Sequence, residues 1–95
     1  MPLVIDASVL VKLVVEEPGT AAALALLDRD DERIAPDWAL CEVGNALWNK
    51  VKFSRLLEVH AEDSLAAVPA FIDRFVAARE LLGEAFRLSF RIRHP

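Results

Sequence analysis

The chain opens with a short apolar run, Leu3-Val4-Ile5, closed by one acid, Asp6. Runs this short and rich in β-branched residues suit a strand buried on both faces, as in a parallel sheet. Directly afterwards Val9, Leu10, Leu13 and Val14 recur at helical spacing, so a helix follows and ends near Glu16-Glu17, ahead of Pro18. Pro18-Gly19 reads as a turn, Thr20 as a cap, and the Ala/Leu-rich stretch to Leu27 as a second helix. After the polar loop 28–32, Arg33-Ile34-Ala35 predicts a very short strand closed by Pro36. Asp37 is then expected to cap the longest helix, about Trp38 to Phe53. Leu40, Val43, Leu47 and Val51 form one stripe on it and Cys41, Gly44 and Trp48 a neighbouring one, a surface broad enough for packing on two sides. Gly44 inside that helix suggests close approach by another backbone.

A helix over about 61–70, ended or interrupted by Pro69, leads to a third strand in Phe71–Val76. A last helix is expected over about 79–92, with Leu82, Ala85, Phe86, Ser89 and Phe90 near one side. Strand, helices, short strand, helices, strand, helix is the grammar of a three-layer α/β/α fold with a short central parallel sheet. No repeat or linker divides the 95 residues, so they read as one small domain.

Composition narrows the class. Hydrophobic residues make up 55 % of the chain, enough for a packed core and too many for a disordered one. A single cysteine, Cys41, excludes an internal disulfide and points to a reducing compartment. No apolar run reaches the roughly 18 residues of a membrane span, and Met1-Pro2 leads straight into the first strand without a signal peptide. A soluble, cytoplasmic protein with no membrane partner is expected. The net charge of −4 is unevenly spread: residues 1–48 hold three basic and nine acidic side chains, residues 49–95 eight basic and six acidic. That division suits metals on one side and phosphates on the other, and equally two solvated helix surfaces.

Chemistry comes down to acids. Cys41, His60 and His94 are isolated, which speaks against zinc, and the glycines at 19, 44 and 83 are too scattered for a phosphate loop. Two acids stand in apolar sequence: Asp6 after Leu3-Val4-Ile5, and Glu42 between Cys41 and Val43. Asp6 falls at the carboxyl end of a strand, where open α/β sheets place ligands, and also where a helix cap belongs. An ionised carboxylate in an apolar setting is costly unless paired or metal-bound, and two together are reconciled by a divalent cation. The alternative is that each is a helix-end acid touching solvent.

Val4-Ile5-Asp6-Ala7-Ser8-Val9, then Ile34-Ala35-Pro36-Asp37 leading to Glu42-Val43-Gly44-Asn45-Ala46-Leu47-Trp48, closely resembles the PIN domain, nearest to the VapC-type toxins of bacterial and archaeal toxin–antitoxin pairs. The resemblance runs the length of the chain. It implies a PIN-like parallel sheet between helices and a metal-dependent endoribonuclease of a type II toxin–antitoxin pair. Asp6 and Glu42 match the first two family acids and become the expected catalytic residues and metal ligands. Ser8 matches a small supporting polar position. Mg2+ or Mn2+ is the implied cofactor, RNA the substrate, and a cognate antitoxin and a second copy of the chain the partners.

In the family, an aromatic-Asp segment, a further strand and often a fourth acid follow the equivalent of His94-Pro95. The expectation is therefore a partial, C-terminally truncated domain over 1–95 whose functional form is longer, with an unpaired edge on the first strand. Lys12, near the presumed cleft, and Arg87, Arg91 and Arg93 with Phe86 and Phe90 are possible RNA contacts, set against the readings of exposed lysine, helix-end charge and core. Trp38 and Trp48 are read either as a dimer face or as monomer core. The rival to the nuclease is a catalytically inactive PIN-like module for dimerisation or antitoxin binding.

Overall fold

A computed structural model describes residues 2–77 together with 79, 80 and 83. Its order is β1 (Leu3–Val4), α1 (Ala7–Val14), α2 (Thr20–Ala25), β2 (Arg33–Pro36), α3 (Ala39–Phe53), α4 (Glu58–Ala67) and β3 (Arg74–Val76), with single 3-10 turns after α2 and α4. The three strands form one parallel sheet in the order β1-β2-β3. Leu3 is in register with Arg33, and Ile34 with Arg74. Among the described residues β1 is thus an edge strand, and its Val4 is exposed. The mixed α/β architecture is the one the hydrophobic pattern predicts.

The core explains the order of layers. Ile5 and Ala35 from the sheet meet Leu10 and Val11 of α1, Ala39, Val43 and Leu47 of α3, and Val68 and Ile72 from the segment before β3. Leu10, Val43, Leu47 and Val68 are the largest fully buried side chains. Helix α1 packs on both α2 and α3, and α3 on α4, so α1 and α3 descend together from the carboxyl edge of β1 and β2.

Local chemistry sets the element ends. Asp6 is extended (φ −87°, ψ 171°) and its carboxylate accepts the Val9 N–H, so it caps α1. Helix α1 stops at Val14, with Val15 extended, two residues before the expected end. Gly19, at φ +94°, is the cap residue of α2, and the Thr20 hydroxyl does not cap. It donates instead to the Val15 carbonyl (3.2 Å) and accepts the Glu17 N–H (3.0 Å), which ties the turn shut. Asp37 does not cap α3 either. Its N–H donates to the Val76 carbonyl (2.9 Å), extending the sheet ladder past the proline, and Trp38 becomes the cap residue without a side-chain bond.

Helix α4 starts three residues earlier than the pattern predicts, at Glu58, and Pro69 lies in the 3-10 turn that follows it. The start of β3 is locked to β2 by Asp73, whose carboxylate accepts the Arg33 N–H (2.7 Å) while its own N–H reaches the Arg33 carbonyl (2.8 Å). Arg79, Glu80 and Gly83 are helical; the remainder of the expected last helix, with Phe86, Arg87, Phe90, Arg91 and Arg93, lies outside the described residues.

Helix α3 packs on two sides as expected, against α1 and α4, but Cys41 and Trp48 of its second stripe are exposed, and the expected close approach at Gly44 is corrected. A Cβ at Gly44 would meet nothing within 4 Å, so no backbone presses on it. Gly44 instead lines an open groove of about 200 Å³ between α3 and α4, beside Trp48, Glu58 and Leu65.

Candidate metal and RNA site at the carboxyl edge of the sheet

Because all three strands are parallel, the segments after β1 and β2 leave the same edge of the sheet. Asp6 stands there as the cap of α1, and Glu42 in the first turn of α3. Each carboxylate therefore lies at the amino end of a helix, where unpaired N–H groups and the helix dipole favour negative charge. Both side chains are exposed, so each is the helix-end acid touching solvent that the sequence left open as the alternative to an apolar setting. Ile5, beside Asp6, and Val43, beside Glu42, turn into the core while the acids face outward.

Asp6 is oriented by two hydrogen bonds to one oxygen. Oδ1 accepts the Ser8 hydroxyl at 2.7 Å and the Val9 N–H at 3.0 Å, which leaves Oδ2 without a hydrogen bond among the described residues. The Glu42 carboxylate has none there either. The Ser8 hydroxyl thus helps fix the direction of the Asp6 carboxylate. These are hard oxygen donors of the type Mg2+ and Mn2+ prefer, and in kind they fit such an ion. They supply only part of a coordination shell. Among the described residues no three His, Cys, Asp or Glu side chains gather to hold a metal.

A second group of polar residues adjoins the first. An open, largely apolar groove of about 410 Å³ between α1 and α3 is lined by Ala46 and Phe53 together with Ser8, Lys12, Glu17 and Lys50. Lys50 Nζ donates to Glu17 Oε2 at 2.7 Å, and Lys12 Nζ lies 3.5 Å from Oε1. The Lys50 hydrogen bond, with Lys12 beside it, holds the Glu17 carboxyl below the usual glutamate range, against the opposing pull of burial. Lys12 is therefore half-buried and paired, not a freely exposed lysine. The sequence points to Lys12 but not to its pairing with Glu17 and Lys50. They lie 33 positions apart, and no periodicity links them.

The PIN domain family profile matches residues 3–89. No curated protein matches the chain. With the fold and the acid-bearing edge described above, the chain belongs to the PIN domain family, whose members are generally metal-dependent nucleases. Among the described residues, no helix is long and apolar enough to cross a membrane.

Proposed function

We propose that this PIN domain is a VapC-like endoribonuclease toxin, acting in the cytoplasm on RNA and restrained by a cognate antitoxin. The observation that carries the reading is the delivery of Asp6 and Glu42 to one edge of the parallel sheet, each at a helix amino end. Asp6 Oδ2 and the Glu42 carboxylate would hold Mg2+ or Mn2+. When bound, such an ion supplies charge against the phosphodiester and lowers the pKa of a bound water.

The chain's own residues do the positioning. Ser8 and Val9 fix the Asp6 carboxylate so that one oxygen is held and the other faces outward. The backbone N–H groups of the α1 and α3 amino ends favour anions at the same edge. A homodimer is part of the reading, supported by the exposed apolar side chains Trp48, Phe53, Leu57 and Val59 on α3 and around the start of α4.

The second reading, an inactive binding module, is favoured by the absence, among the described residues, of a third acid gathered with Asp6 and Glu42, together with that apolar surface. Incubation of the protein with structured RNA in Mg2+ separates the two. Cleavage abolished by Asp6→Asn supports the nuclease. An inert protein that still self-associates or binds a peptide partner supports the module.

A further inference from the structure

The groove between α1 and α3 has features that an ion pair joining two helices does not require. Two ammonium groups share one carboxylate, so Lys12, Lys50 and Glu17 together carry one net positive charge. Each ammonium has three N–H donors, more than two carboxylate oxygens absorb. Both lysines line the open groove between the two helices.

The lysines are also held in place. A Cβ at Gly19 would lie 2.8 Å from Lys12 Cε and 3.2 Å from Cδ, so the Lys12 stem runs against the bare glycine. The left-handed φ of +94° at Gly19 likewise disfavours any side chain there. Glu17 is fixed by the buried Thr20, whose hydroxyl accepts the Glu17 N–H. Lys50 reaches that carboxylate from α3 at 2.7 Å.

Ser8 connects this groove to the acidic edge. It lines the groove and its hydroxyl donates to Asp6 Oδ1, so one residue borders both the groove and the Asp6 carboxylate. We infer that Lys12 and Lys50, flanking Glu17, form a subsite for an RNA backbone phosphate next to the reacting one. This rests on the nuclease reading and adds to it the groups that hold the polymer. A chain with a net charge of −4 repels RNA overall, and a fixed pair of cations offsets that locally.

The test measures binding without chemistry. Fluorescently labelled single-stranded RNA is titrated with protein in EDTA, by anisotropy, over a series of salt concentrations. Lys12→Gln and Lys50→Gln should each weaken binding several-fold and reduce the slope of log K against log salt by about 0.7. Lys50→Arg, which keeps the charge and the pair, should bind as the unaltered protein does. Arg74→Gln removes an equal charge from the opposite edge of the sheet, where Arg74 pairs with Glu32, and should change binding little. Affinity and slope unaltered in both lysine variants, or lowered equally by Arg74→Gln, would overturn the subsite. The assay contains no metal, so a protein that fails to cleave RNA leaves this result standing, and loss of the subsite leaves the cleavage result standing.

Discussion

The Ser8 hydroxyl donates to Asp6 Oδ1 at 2.7 Å, two residues away, at the exposed start of α1. The same oxygen takes the Val9 N–H, so the first turn of the helix and a side chain jointly set the direction of the carboxylate. Groups that orient a metal ligand commonly affect activity more than stability. Ser8→Ala should therefore lower the metal-dependent cleavage rate about tenfold while costing at most about 1 kcal/mol of stability for one exposed hydrogen bond. Cleavage kinetics beside urea denaturation check both halves. An unchanged rate would remove Ser8 from the site.

The Glu17 ion pairs predict a pH dependence. Its carboxyl is held below the usual range in the folded chain by the Lys50 hydrogen bond, with Lys12 adding to it. The folded form therefore binds that proton more weakly than the unfolded form. The resulting stabilisation is fully present above the unfolded value, about 4.3, and is lost as the pH falls through the lower folded value. Glu17→Gln should cost about 1 kcal/mol at pH 7 and close to nothing near pH 3. Urea denaturation of both proteins at the two pH values measures this. A cost that does not shrink on acidification would assign the effect to packing.

Leu47 and Trp48 are adjacent on α3 but turned about 100° apart: Leu47 is 2 % exposed, Trp48 54 %. Leu47→Ala should destabilise the domain by about 2–5 kcal/mol, a large share of what a small domain has. Trp48→Ala should change stability by no more than about 0.5 kcal/mol, yet weaken self-association. Sedimentation at tens of micromolar reads the second effect. A chain that is monomeric with Trp48 in place would remove this face as a dimer surface.

Much of this was legible in the residues. Leu3-Val4-Ile5 and Ile34-Ala35 announced the strands, and Val9, Leu10, Leu13 and Val14 the first helix, because burial on a fixed period leaves its mark in sequence. The caps misled where backbone and side chain compete for a polar group. Asp37 looked like a cap, but α3 begins one residue later, with Trp38 as its cap residue and no side-chain bond, while the Asp37 N–H extends the sheet to Val76. Thr20 looked like another, but its hydroxyl closes the turn onto Val15 and Glu17.

Exposure of the two acids was the harder question. Apolar neighbours in sequence left open whether Asp6 and Glu42 are buried or touch solvent at a helix end; they touch solvent, because consecutive residues at a strand end or on a helix point in different directions. The Lys12–Glu17–Lys50 group could not be read at all, since it exists only once α1 and α3 are packed.

The central claim is that Asp6 and Glu42, delivered by separate strands to one edge, act as one divalent-cation site. Calorimetric titration with Mn2+ tests it most directly. Two carboxylates completed by water form a partial shell, so binding should be weak in the unaltered protein and lost in both Asp6→Asn and Glu42→Gln. Mn2+ affinity that survives Glu42→Gln unchanged would contradict the account.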